Sequence, residues 1–333
     1  MYRVRRYRIA YCVPAIICGT VGCIGYTNLQ NYKGQFVMKR YDCIFKRILS
    51  PMRHIITVTD NGQCMRLKFC GIVVYKVKNP LIMEYYKKRH VLETKPNLST
   101  IILGSSHGNR GVNTTLMEEP TVNLATTSQD LYQGYHLLKY AVQQRPTIKK
   151  VVLCFAPFSH GYNISHSSEK YRTAMLQTVF DIKPFQHDPT ISKRWYNQVP
   201  KIFLQNISPD SDNNPLQDTQ PLDSVKVRER ATKHVEFAQK KDMLVWLQKI
   251  IDFTKEHSIE LHLVIPPYTD MYKQYFNSTT FDAVYEMCKK CGVEYHSFLD
   301  DTDFVPDDFH DSDHLNVIGA NKLTKKINLL LGE

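Results

Sequence analysis

The sequence has no glycine-rich nucleotide loop, no zinc-finger spacing and no disulfide framework, and each absence removes a class of function. Without a G-x-G-x-x-G or P-loop pattern, no backbone cradle for a nucleotide is expected, and no organic cofactor is predicted. No RNP-like aromatic motif, zinc-finger module or long basic run is present, so nucleic acid is not a predicted partner. The nine cysteines are scattered. Cys12, Cys18 and Cys23 fall in an apolar stretch, Cys154 lies in a core-strand pattern, and Cys288 and Cys291 form a lone CxxC. That pair lacks the second half of a zinc site, so the cysteines read as small buried hydrophobes and no metal is predicted.

What is present begins with charge. The formal net charge is +11, and much of it is front-loaded in Arg3, Arg5, Arg6, Arg8, Lys33, Lys39, Arg40, Lys46, Arg47 and Arg53. That distribution suits an anionic membrane surface. Residues 1–8 form a basic leader, and residues 9–27, IAYCVPAIICGTVGCIGYT, carry no charge. A stretch of that length spans a bilayer core, and the basic leader places the chain beyond it on the extracytoplasmic side. Lys33, Lys39 and Arg40 on the other flank leave the reversed topology open. So do three other readings stay open: a cleaved signal peptide, a lipobox-like TVGC ending at Cys23, and an interfacial segment weakened by Pro14 and three glycines. The reading adopted is an uncleaved transmembrane anchor.

Residues 28–97 read as a membrane-proximal segment. His54–Thr59 and Cys64–Val77 are β-rich runs around Asn61-Gly62, a strong hairpin signal. Residues 79–97, with a basic patch at Lys87, Lys88 and Arg89, read as a short helix or linker without chemistry.

From residue 98 to 333, strand and helix patterns alternate. Strands are expected at STIILG (99–104), TVNLA (121–125), KVVLCF (150–155), ELHLVI (260–265) and 293–298. Helices are expected at 129–144, 235–257, 281–290 and 317–331, with an irregular insertion at 157–232 that shapes specificity. Such alternation predicts an α/β domain with a parallel sheet and helices on both faces. Its ligand site belongs at the carboxyl ends of the strands, near the loops after Gly104, Ala125 and Phe155.

Two elements there can carry chemistry. GSSHG (104–108) follows a strand directly, and a tight turn can expose a serine hydroxyl while aiming backbone N–H groups at an oxyanion. Alone, it is also an ordinary Ser/Gly turn. DSDH (311–314) precedes the last helix, and an aspartate three residues before a histidine can hold its Nδ1 and leave Nε2 free as a base. Asp308 and Asp313 are alternative acids. A cation site built from Asp307, Asp308, His310, Asp311, Asp313 and His314 is the weaker reading, because it leaves the serine motif unexplained.

Together, strand-GxS and DxxH resemble the landmarks of the SGNH (GDSL-like) hydrolase superfamily. The stretches ILGSSHGNRGVN, NLATTSQDLY and DSDHLNVIGANKL are similar to membrane-anchored bacterial members linked to surface polysaccharide or teichoic acid acylation. The resemblance covers residues 99–331. It implies a flavodoxin-like three-layer sandwich, Ser106 as nucleophile, His314 as base and Asp311 as its partner. It also implies an oxyanion site from the backbone N–H groups of Ser106 and Ser128, with Ser128 standing where the family has glycine. The family's third block supplies an asparagine, and here Phe158 takes that position, leaving Ser159 or His160 as possible substitutes. His107 is a further candidate near the site. The implied activity is that of an esterase or O-acyltransferase on a cell-surface carbohydrate polymer, working with a multi-pass membrane acyl-donor partner. The alternative is a non-catalytic glycan-binding or assembly subunit on the same fold.

Overall fold

A computed structural model describes residues 56–60, 64–69, 72–78, 80–186, 212–277 and 279–332. By contact the chain divides into residues 1–57 and 58–333. The basic leader, the apolar stretch 9–27 and Cys23 lie outside the described residues. No helix among the described residues is long and apolar enough to cross a membrane.

The β-rich runs form three strands, β1 (Ile56–Asp60), β2 (Cys64–Phe69) and β3 (Ile72–Lys78), ordered β1-β2-β3. The second run is therefore two strands, paired antiparallel with a register shift at Leu67/Lys68. Helix α1 (Pro80–Thr94) follows, a full helix where a short helix or linker was expected. Its Lys88 is not part of a surface patch. Only 1% exposed, it donates to Asn109 Oδ1 at 3.0 Å, Asn123 O at 2.8 Å and Asp212 O at 3.2 Å.

The main sheet holds β4 (Thr100–Gly104), β5 (Thr121–Asn123), β6 (Lys150–Cys154), β7 (Glu260–Ile265) and β8 (Glu294–Ser297). All pair in parallel, in the order β5-β4-β6-β7-β8. Alternate residues serve opposite faces, as the two-residue period of a strand requires. Ile101, Leu103, Val151, Leu153, Leu261 and Leu263 join one apolar cluster with Leu137, Leu247 and Val284. Those three belong to α3 (Leu131–Gln144), α6 (Leu244–Glu256) and α8 (Asp282–Cys291), with the short α7 (Asp270–Lys273) between the last two. Ile102, Val152 and Val264 join the other cluster with Leu323, Ile327 and Leu331 of α9 (Val317–Gly332). The result is a parallel sheet flanked by helices. Its strand order reverses between β4 and β6, and the crevice at such a switch point is where doubly wound sheets bind ligands.

Two further helices define the region before β7: α4 (Arg172–Phe180) and α5 (Ser224–Lys240). The stretch expected to be irregular thus carries two helices among its described residues. The helix expected at 235–257 is instead two, because Lys241 turns left-handed at φ 58° and the Met243 N–H bonds His160 O. Asp223 caps α5 well upstream of that expectation, accepting from the N–H groups of Val225 and Lys226.

Candidate active site

The site starts where β4 ends. Gly104 has φ 125°, and a Cβ there would lie 2.3 Å from Cys154 O of the neighbouring strand. Only glycine accommodates both that conformation and that approach. The chain then turns through Ser105 into α2 (Ser106–Gly111), so Ser106 is a first helical residue whose N–H has no intrahelical acceptor. Asn123 ties the turn to the second loop. Its Nδ2 donates to Gly108 O at 2.9 Å, and its Oδ1 accepts from the Ala125 N–H at 3.1 Å. Gln129 adds a second tie by accepting from the Gly104 N–H at 3.0 Å.

The loop before α9 is fixed as firmly. Asp311 Oδ1 accepts from the backbone N–H groups of Asp313 at 3.1 Å and His314 at 2.8 Å. Asn316 Oδ1 accepts from the N–H groups of Ile318 and Gly319 and so caps α9, while its Nδ2 donates to Asp307 O. Thr269, in the loop after β7, donates through N and Oγ1 to Ser312 O.

These two loops bring Ser106, His314 and Asp311 together. His314 Nε2 lies 2.8 Å from Ser106 Oγ, and His314 Nδ1 lies 3.0 Å from both Asp311 oxygens. Burial alone would raise the Asp311 carboxyl, but the hydrogen bond and charge of His314, with Arg230 nearby, hold it below its ordinary value. The array has the connectivity needed for proton transfer from Ser106 Oγ to His314 Nε2, with Asp311 fixing the tautomer.

The other sequence candidates divide. His107 joins the triad: its ring stacks on His314 at 5.0 Å and 19°, and its Nδ1 lies 3.1 Å from Ser105 Oγ. Ser128 takes φ 60°, the conformation that glycine adopts freely. Its hydroxyl is bonded to Glu169. Ser159 and His160 serve their own turn instead. Ser159 Oγ accepts from the Ala156 N–H at 3.1 Å, and His160 Nδ1 donates to Pro157 O at 2.7 Å. The His160 ring packs against Phe155 and Phe281, and burial lowers it to about 4. None of these contacts involves the triad.

Phe158 forms an aromatic wall, 5.8 Å from the His107 ring and 4.6 Å from that of His234. Asp308 pairs with Lys322 and His310 bonds Asp218 O, so the six-residue cation cluster weighed from the sequence is not assembled. His107, Asp313 and His314 do approach closely enough to hold an ion. Yet both nitrogens of His314 are engaged and Asp313 pairs with Arg230 at 3.0 Å, so this group reads as an ion-pair network.

Sequence reasoning missed Arg230, His234, Tyr268 and Tyr272. The signal for the first two was faint, three small or β-branched apolar residues in a polar insertion. Val227, Ala231 and Ala238 mark the buried stripe of α5, and Arg230 and His234 are polar residues at the same helical spacing.

No protein-family model matches the chain, and no curated protein matches it. Solved structures that resemble it include a Streptococcus pneumonia protein described as a platelet activating factor, 16% identical, with a TM-score of 0.39 over 75% of this chain and 92% of the other. A GDSL-like lipase from Bacteroides thetaiotaomicron is 8% identical, with a TM-score of 0.39 over 75% of this chain and 98% of that one. A G-D-S-L family lipolytic protein from Desulfitobacterium hafniense is 10% identical, with a TM-score of 0.36 over 70% and 98%. At these values the likeness says nothing about what this chain does.

Proposed function

We propose that the chain performs ester chemistry through an acyl-serine intermediate. The observation that carries this is the continuous hydrogen-bonded series Ser106–His314–Asp311 at the switch point of the sheet. Ser106 Oγ attacks the ester carbonyl while His314 Nε2 takes its proton, and the same proton then protonates the departing alkoxide. The N–H groups of Ser106 and Ser128 are the donors offered to the oxyanion. Water as second nucleophile makes the protein an esterase, and a sugar hydroxyl makes it an O-acyltransferase. We favour O-acetyl chemistry on a cell-surface polysaccharide, with the uncharged stretch 9–27 as anchor and a multi-pass acyl-donor partner. The apolar segment and the motif resemblance support that finer reading.

The second reading, a non-catalytic glycan-binding subunit, draws on the motif resemblance, which puts Phe158 where the family supplies a third oxyanion donor. One such donor is worth about 3 kcal/mol in the transition state. Fluorophosphonate labelling and p-nitrophenyl acetate hydrolysis by the full chain separate the two. The expected result is labelling and turnover that disappear in Ser106→Ala and His314→Ala. An unlabelled, inactive wild type with intact fold would favour the binding role.

A further inference from the structure

His314 Nδ1 faces two carboxylates rather than one. Asp311 sits at 3.0 Å, and Asp313 Oδ1 sits at 3.8 Å. Asp313 is 1% exposed, so its charge is screened by protein groups rather than water. Those groups come from three elements. From α2, His107 Nε2 lies 3.5 Å from Asp313 Oδ2. From the segment after β7, Tyr268 and Tyr272 pack against the cluster, Tyr268 at 5.3 Å from the His107 ring. From α5 come His234 and Arg230.

Arg230 is the one cation among them. Its Nε lies 3.0 and 3.1 Å from the two Asp313 oxygens, its Nη1 lies 4.0 Å from Asp311 Oδ2, and its Nη2 lies 3.5 Å from His314 Nδ1. The guanidinium is therefore wedged between both acids and the imidazole. Burial lowers His107, and lowers His234 to about 3, so burial favours the neutral form of both rings. Tyr268 and Tyr272 are raised by burial and are neutral as well. The fixed charges around His314 are then Asp311, Asp313 and Arg230, which sum to one negative.

We propose that Arg230 is a positioning residue of the triad: by pairing with Asp313 it leaves Asp311 as the single working carboxylate of His314, and so sets the pH at which His314 accepts the serine proton. This rests on the ester-chemistry reading of the same site. Without Arg230, two uncompensated carboxylates flank the imidazole and hold its proton. Without Asp313, Arg230 is left uncompensated beside the imidazole and repels that proton.

The opposite signs make the test. The rate of fluorophosphonate labelling at Ser106 is measured against pH for the full chain. In Arg230→Met the acid limb moves up by about one pH unit or more, since a charge within a few ångströms shifts a neighbour by that much. In Asp313→Asn it moves down by a similar amount, and the double variant returns close to wild type. Arg230→Lys restores most of the wild-type limb, because charge is what matters. Limbs that stay put, or that move the same way in both single variants, overturn the proposal. Should Arg230→Met fail to fold, Asp313→Asn decides alone: a downward shift supports the proposal, and an upward or absent shift overturns it. A wild type that takes no label sinks the ester reading instead. The His314 ring, assigned in NMR spectra by its loss in His314→Ala, then gives the same titration shifts without activity.

Discussion

Replacing Lys88 by Met removes an ammonium while keeping most of the side chain's volume. In the native protein each of its three donors is used, on Asn109 Oδ1, Asn123 O and Asp212 O. Two effects oppose each other. Burying an ammonium costs several kcal/mol, and the substitution relieves that cost. Against it, three buried acceptors lose their donor at about 1–3 kcal/mol each. The carboxylates of Glu84 and Asp212 also lose the nearby cation. Removing one side of a buried charged network in this way typically costs about 3–5 kcal/mol, and that is the expected loss. Urea denaturation measures it as a lower midpoint at unchanged slope. Because Asn109 lies on α2 and Asn123 ends β5, labelling of Ser106 should slow in the same variant. A midpoint equal to or above wild type would refute the reasoning, since it would show that desolvation outweighs the three hydrogen bonds.

Gly104→Ala should cost more than about 4 kcal/mol or prevent folding, because its Cβ would meet the Cys154 carbonyl at 2.3 Å in a strained φ of 125°; expression and thermal melting report it. Asp130 caps α3 and also accepts from the Ile164 N–H, and burial raises its carboxyl from 3.8 to about 6 against the pull of those backbone bonds. The folded chain then keeps a proton that the unfolded chain releases, so from 3.8 to about 6 stability falls as pH rises. Asp130→Asn should flatten that slope, by at most about 1.4 kcal/mol per pH unit, and denaturation midpoints at three pH values test it.

The sheet was legible mainly through its inner strands, which are buried on both faces and appear as apolar runs, unlike the half-exposed edge strand β8. Thr100–Gly104, Lys150–Cys154 and Glu260–Ile265 each fall inside the run that announced them. The pairing of Ser106 with His314 was legible for a related reason. Each is pinned to an element boundary, one at the end of β4 and the other just before α9, and parallel sheets bring such boundaries to one edge. The start and stop of α5 were not. Only Val227, Ala231 and Ala238 are buried on it, too few apolar positions to stand out from a polar insertion. Its end at Lys241 is a left-handed residue that is not glycine, and the helical apolar pattern runs on through α6 without a visible break. Lys88 was misread for a different reason. A lysine flanked by Lys87 and Arg89 has the local pattern of a solvated face, and only the long-range partners at Asn123 and Asp212 reveal it as buried.

The division of labour in the site follows the same line. The groups that would exchange the proton stand on the α/β scaffold, where a short turn after β4 and a capped loop before α9 fix them to within a hydrogen bond. The groups that set charge and line the wall come from the connections on either side of β7: Phe158, Arg230 and His234 before it, Tyr268 and Tyr272 after it. Scaffold positions tolerate little change, since Gly104 and Asn123 are held by backbone contacts. In the connections, Arg230 holds Asp313 and Tyr272 bonds His234 through side chains, beside backbone bonds from Met243 to His160 and from Thr269 to Ser312. On the proposed reaction, a change at Arg230 on α5 would move the pH limb of His314 while Ser106, His314 and Asp311 keep their places.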